Sequence, residues 1–297
     1  MASSQLLSKP KFRYLSAWFC PYAHRATLAL EHHSDRIDYE WIEALGWKQQ
    51  ADKNDVTGTG KEWWYHWKAD ELKRSNPSGM VPTMIPVDLA TGVSDESKAV
   101  YESIPIIDYI DSISAAPSPQ RLVPIDDPYQ SHRCRIWTER VNRDCCSPYY
   151  GILVRTEEEE RKQHFETLLK GLKAFSKELI KTDGPTFLAG GRLSSVDCAL
   201  LPWAYRYYIF EHYRGEEYSL DPKSAYGAKH HVVGLEPYHE WLEYVTNLEC
   251  VKKTLPDKDR YLEHIGKYAD SSARSKVANA VRRGVSAHEI DDDKDEY

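Results

Sequence analysis

Isoleucines at 106, 107, 110 and 113 fall on one face of a helix spanning Ser103–Ile113. Upstream, the apolar and polar positions alternate between strand and helix periods. Phe12 to Phe19 is short, apolar and aromatic, which predicts a buried strand. A helix is expected over Tyr22 to His33. Ile37, Tyr39 and Trp41 alternate with Asp38 and Glu40, the two-residue period of a half-exposed strand. The stretch LGWKQQADKNDVTGTG reads as a loop and HWKADELKRS as a short helix. Val81 to Val87, a turn at Gly92 and Lys98 to Tyr101 read as a hairpin. The order β-α-β-α-β-β-α describes a small α/β domain over residues 1–114.

Residues 115–128 are rich in proline, a composition suited to an interdomain linker. Beyond them strand patterns nearly vanish. Phe165, Leu168, Leu169, Leu172, Phe175 and Leu179 follow helical spacing, as do Trp241, Tyr244, Val245 and Leu248. Residues 129–270 are therefore expected to form an all-helical domain. Residues 271–297 read as a C-terminal helix and an acidic tail, whose last dozen residues, ending EIDDDKDEY, are expected to be disordered. There is no internal repeat.

A length of 297 residues fits two domains. Nine Trp and twenty Tyr can line apolar pockets. A formal charge of −7 argues against a general nucleic-acid binder. No run approaches the ~18–20 apolar residues of a membrane helix, and the N-terminus lacks the long apolar core of a secretory signal, so a cytosolic protein is expected. Six cysteines in that setting are expected to be reduced. No CxxC occurs, no Cys/His spacing matches a structural zinc site, and no metal is expected.

One cysteine stands at a strand-to-helix junction, in SAWFCPYAHR. A helix N-terminus carries about half a positive charge, and Pro21 suits the first helical position because its missing N–H is one that the helix leaves unpaired. A thiol placed there can fall from ~8.5 into the range of about 3.5–7.5, so Cys20 is expected to be a low-pKa nucleophile. Ala23 occupies the position where dithiol oxidoreductases keep a resolving cysteine. A disulfide formed on Cys20 then needs an external thiol, and glutathione is the obvious cytosolic one. Two further segments fit that tripeptide. Val81-Pro82 opens a strand, and Val81 offers backbone groups that can pair with the cysteinyl unit. At Tyr101-Glu102-Ser103, Ser103 is a reasonable N-cap. There Glu102 could take the α-ammonium and Ser103 the carboxylate of the γ-glutamyl end.

Taken together, the chain resembles a cytosolic glutathione transferase, most closely the omega-like cysteine class with its fungal-type members. FCPYAHR resembles the catalytic loop, SNPSGMVP the cis-proline segment, VYESIPIIDYID the γ-glutamyl-binding strand and helix, LAGGRLSSVDCALLPW the folding motif of the helical domain, and YLEHIGKYADSSARSKVANAVR the C-terminal helices. The resemblance implies an α/β thioredoxin-like N-terminal domain, an all-α C-terminal domain, a homodimer and an apolar second-substrate pocket between the domains. It implies Cys20 as catalytic residue, with Phe19 and Tyr22 flanking the thiol. Val81, beside a cis Pro82, would contact the cysteinyl unit, and Glu102 and Ser103 the γ-glutamyl end. Lys68 would meet the glycyl carboxylate, with Lys61 and Lys73 as competitors. The Trp-rich segment EALGWKQQADKNDVTGTGKEWWYHW departs from the class. It could wall the pocket, cover the domain interface or pack as surface insertion.

The activity implied is monothiol exchange of glutathionyl mixed disulfides, dehydroascorbate reduction and reductive deglutathionylation of conjugates, with glutathione as co-substrate. Three alternatives stand beside it: a non-catalytic protein binding hydrophobic aromatic ligands, an interaction module of the same fold, and a glutathionyl-hydroquinone reductase, whose similar motif usually has Trp in place of Tyr22. Other features carry less. Gly58-Thr59-Gly60-Lys61 lacks the spacing of a phosphate loop. Ser194 with Asp197 is a helix-capping pair. His32-His33 and His230-His231 would point apart on a helix. Cys145-Cys146 reads as packing, and Glu157–Glu160 as a favourable first helical turn.

Overall fold

The computed structural model describes residues 9–51, 60, 62–182, 184–224, 226–227, 233–287 and 289–295. Its N-terminal sheet has the order β2-β1-β5-β6, with β1 at Lys11–Ser16, β2 at Asp38–Glu43, β5 at Thr83–Val87 and β6 at Val100–Tyr101. β1 pairs parallel with β2 and antiparallel with β5, and β5 pairs antiparallel with β6. Helices α1 (Pro21–His32) and α3 (Ser103–Ile113) pack against each other, and α3 buries Ile106, Ile107 and Ile110 as its periodicity dictates. Tyr14 in β1 is fully buried and donates to the Ala23 carbonyl at 2.6 Å, which locks the strand to the first turn of α1.

The segment read as a loop and a helix folds differently. Leu45–Ala51 is strand β3 and Glu62–Lys68 is strand β4, paired antiparallel with Trp47 opposite His66 and Leu45 opposite Lys68. Helix α2 therefore starts at Asp70 and ends at Ser75. Aromatic residues at 63, 64, 65 and 67 favour a pleated, half-buried surface over a coil. A distant partner completes this sheet: β7 (Ala273–Arg274) pairs parallel with β4.

The helical part comprises α4 (Pro128–Val141), α5 (Pro148–Val154), α6 (Glu158–Leu179), α7 (Ser195–Ala204), α8 (Tyr208–Arg214), α9 (Glu236–Thr246), α10 (Glu249–Lys252), α11 (Lys258–Ala269), α12 (Lys276–Arg283) and α13 (Asp292–Asp295). Glu158, Glu159 and Glu160 fill the first turn of α6. The capping box at Ser194 and Asp197 is formed. Cys145 and Cys146 are buried in a π-helical turn after α4. The proline-rich segment between the two parts is a fixed strap: Leu122 and Val123 are buried, and their amides donate to the Asp111 carboxylate at 2.8 and 3.3 Å.

The acidic tail also departs from expectation, since Ala287 and Asp295 within it are buried. Asp295 is buried and accepts from Arg283 Nη2 at 2.8 Å and from the Asp291 amide at 2.7 Å. Charge alone suggested solvation. Basic residues on α12 supply the counter-charges that a composition count cannot place.

Candidate functional site

β1 delivers the chain to a tight turn, where the Cys20 amide donates to the Ala17 carbonyl at 3.0 Å. Cys20 is the N-cap of α1, in extended conformation, and Pro21 takes the first helical position. The backbone amides of this helix end, at Tyr22 and Ala23, favour the sulfur's anion. The net shift nevertheless runs opposite to the sequence expectation. Burial raises the Cys20 thiol above its ordinary value, outweighing the two amides and the attraction of Arg206 and Arg25. The sequence shows the helix end; it does not show the aromatic shell that leaves Cys20 half-buried.

That shell comes from both halves of the molecule. A cavity of about 30 Å³ beside Cys20 is walled by Phe19, Tyr22, His66, Tyr261, His264 and Tyr268, among others. Phe19 stacks on His264 with ring centroids 3.9 Å apart, and Trp47 Nε1 donates to the His264 ring at 3.1 Å. Trp47 and His66 lie 4.0 Å apart. The Trp-rich hairpin thus joins the cysteine loop to α11 at the domain interface. Burial holds His66 down at about 3, and His24 and His264 well below the usual histidine range.

Next to the thiol cavity runs a groove of about 290 Å³ that contains Tyr22, Val81, Pro82, Glu102 and Ser103. The Val81–Pro82 bond is cis, and no described residue hydrogen-bonds the Val81 amide or carbonyl. Glu102 sits at φ 74°, a left-handed conformation unusual for a non-glycine residue, and such strain clusters at functional sites. It, and not Ser103, is the N-cap of α3. Ser103 is the first helical residue. Its buried Oγ accepts from Arg25 Nη1 at 3.1 Å, which leaves the hydroxyl hydrogen to donate elsewhere.

The structure brings Cys20, Phe19, Tyr22, Val81, Pro82, Glu102 and Ser103 around two adjoining cavities and leaves Lys68 outside them. Lys68 lines a separate cationic cavity with Lys48, Lys73 and Lys276, behind the Ser78–Gly79 turn. Ser78 borders both this cavity and the groove, so Lys68 stands beside the groove without lining it. Lys73 donates to Asp70 at 2.9 Å, and Lys61 lies outside the described residues.

Nothing in the C-terminal sequence announces a site role, yet Val277, Ala287, Ile290 and Asp292 form one wall of the groove. Val277, Ala280 and Val281 share one face of α12, and that spacing was the available signal. Tyr22, Met80, Val81 and Val277 border both cavities, so Val277 stands at the throat between groove and sulfur. Lys276 fastens the segment, donating to the Ser78 carbonyl at 3.1 Å and to Asp292 at 2.6 Å. Trimming Val277 to alanine is expected to speed iodoacetamide alkylation of Cys20 several-fold without changing the circular dichroism. Equal rates would show that access to the sulfur does not pass this throat.

Arg25, also missed although it lies within the motif, is buried and binds three elements at once. Its Nε donates to Ala199 O at 3.0 Å and its Nη2 to Asn142 Oδ1 at 2.8 Å, besides the bond to Ser103. The His32 and His33 rings meet edge-on at 4.6 Å and do not diverge, because His33 closes α1 and does not continue it. His33 pairs with Asp111, and His32 with the Gln120 carbonyl. His230 and His231 lie outside the described residues. Among the described residues no cluster of three or more His, Cys, Asp or Glu suits a metal ion, no helix is long and apolar enough to cross a membrane, and all six cysteines are free.

Comparison with known proteins gives the family and the fold. The model of the glutathione S-transferase N-terminal domain matches residues 19–113, and that of the C-terminal domain matches residues 132–219. Glutathione S-transferase U27 of Arabidopsis thaliana is 25% identical over 264 residues, covering 87% of this chain and 94% of the relative. Glutathione transferase GST 23 of Zea mays is 28% identical over 195 residues, 66% of this chain and 76% of that protein. Among solved structures, glutathione transferase Omega 3C from Trametes versicolor superposes with TM-score 0.62 at 22% identity, covering 89% of this chain and 92% of its own. Rice GST1 in complex with glutathione gives 0.64 at 20% identity, covering 89% and 98%. The fold is thus a thioredoxin-like domain followed by a helical domain. The sequence resemblance is to the omega class; the curated relatives are plant tau-class proteins and the solved structures include omega transferases, so the comparisons share the family and not one class.

Proposed function

We propose, for a chain that belongs to the glutathione S-transferase family and so to enzymes with glutathione as co-substrate, that Cys20 performs monothiol glutathionyl exchange. One observation carries the reading: a cysteine caps α1, alanine stands at the resolving position, and the sulfur adjoins a groove in which the Val81 backbone is unengaged. The Cys20 thiol first loses its proton to solvent. Its thiolate then attacks the glutathionyl sulfur of a mixed disulfide. The new S–S bond joins Cys20 to glutathione, and the old one breaks to release the partner as a thiolate, which takes up a proton. A second glutathione thiolate attacks the adduct, leaves as glutathione disulfide and regenerates the Cys20 thiolate. Val81 would pair with the cysteinyl unit, and Glu102 and Ser103 with the γ-glutamyl end. Dehydroascorbate and glutathionyl conjugates are further substrates on this reading, and the protein acts as a cytosolic homodimer.

A second reading has its own support. The raised thiol and the tyrosine-rich wall suit a protein that binds aromatic ligands, or a reductase of glutathionyl-hydroquinones with Tyr22, Tyr261 and Tyr268 around the ring. Ligand affinity unchanged in Cys20→Ala, together with negligible wild-type turnover, would favour the binding protein.

The deciding experiment is intact mass after incubation with glutathione disulfide. Wild type should gain one glutathionyl group and Cys20→Ser none. An adduct that persists in the variant places the chemistry on another cysteine and defeats the proposal.

A further inference from the structure

The groups around Cys20 make an unusual set. β1 contributes Tyr14, α1 contributes Tyr22, His24 and Arg25, β4 contributes His66, and α5 contributes Tyr150. Arg206, following α7, and Tyr261, His264 and Tyr268 of α11 complete it. The three histidines are neutral through burial and the tyrosines hold their protons. Two fixed cations remain, and no carboxylate stands among these groups.

Both guanidinia are buried, and neither forms an ion pair among the described residues. Arg206 Nη1 donates to the Pro202 carbonyl at 2.6 Å and lies 3.1 Å from His24 Nδ1, while its Nε and Nη2 have no acceptor. His24 belongs to the first turn of α1, and its amide donates to the Cys20 carbonyl at 3.0 Å. The Arg206 guanidinium lies over the Tyr261 ring at 4.7 Å, and Tyr261 walls the thiol cavity. Arg25 lies over Trp203 at 4.2 Å, held by neutral acceptors only. A buried charge without a counter-charge is destabilising, so two such cations at one site favour an anion there.

We propose that Arg25 and Arg206 are positioning residues of a buried cationic pair whose balancing anion is the Cys20 thiolate formed during turnover. The inference deepens the reading of Cys20 as nucleophile and rests on it. Burial keeps the resting sulfur protonated. Once the proton leaves, the pair and the helix end hold the anion in a half-buried site, where Coulomb attraction exceeds its value in bulk water. The same pair would stabilise the leaving thiolate when the second glutathione cleaves the adduct.

The test is the pH dependence of Cys20 alkylation by iodoacetamide, followed by mass in wild type, Arg206→Met, Arg206→Lys and Arg25→Lys. An opposite charge close to an ionisable group shifts it by about one to three pH units. Arg206→Met should therefore move the inflection upward and slow alkylation roughly tenfold at pH values below it, with the high-pH plateau unchanged. Arg206→Lys should recover most of the wild-type profile. If the methionine variant does not fold, Arg206→Gln, a neutral side chain that keeps two N–H donors, takes its place. A neutral variant whose profile superimposes on wild type overturns the inference. So does a fall in the plateau without a shift, which would mark a merely structural role. Iodoacetamide needs no glutathione, so wild type that alkylates normally yet takes no glutathionyl group from glutathione disulfide would refute the proposed function instead.

Discussion

Cys20→Ser is expected to lose glutathionyl exchange by a factor of about a thousand or more, because a hydroxyl is not measurably ionised near neutrality and disulfide exchange requires a thiolate. None of the other five cysteines replaces it. Cys134, Cys145, Cys146 and Cys198 are buried, and burial raises each of their thiols above the ordinary value. Cys250 is partly exposed but is also raised, and it lines neither the groove nor the thiol cavity. Affinity for glutathione should change only a few-fold, since Val81, Glu102 and Ser103 are left in place. Turnover with a glutathionyl mixed disulfide, beside calorimetric titration with glutathione, separates the two quantities. Residual turnover of several per cent in the serine variant would mean that the sulfur is not the nucleophile.

The second large effect concerns stability. Asp197 is fully buried, and its carboxylate accepts from the Ser194 amide at 2.7 Å, the Ser194 hydroxyl at 2.6 Å, Trp241 Nε1 at 2.8 Å and the Phe187 amide at 3.3 Å. It thereby joins the start of α7 to α9 and to the loop before α7. Asp197→Ala strips four donors of one acceptor in a site closed to water. With about 1–3 kcal/mol for each buried group left unsatisfied, and partial relaxation, a loss of roughly 4 kcal/mol is expected. The melting temperature should fall by about ten degrees, and Asp197→Asn, which keeps one oxygen, should fall by less. A melting curve within a degree or two of wild type would show that the network contributes little.

Much of this protein is written locally. The isoleucine spacing of α3 and the capping box at Ser194 depend on neighbours within a few residues, so the sequence determined them. The position of Cys20 at a helix end followed in the same way from Pro21 and the apolar run before it. Tertiary structure decided what depends on distant segments. β4 is stabilised by β7, more than two hundred residues away, and no local period reports that partner. Lys68 lies next to the groove through the meeting of β4 with the Ser78–Gly79 turn, which no local pattern reports. The described part of the tail is fixed by counter-charges on α12. The ionisation of Cys20 is the sharpest case. Chain order supplies the helix end that favours the anion, but burial is a sum over side chains from both domains, and that sum outweighs the helix end.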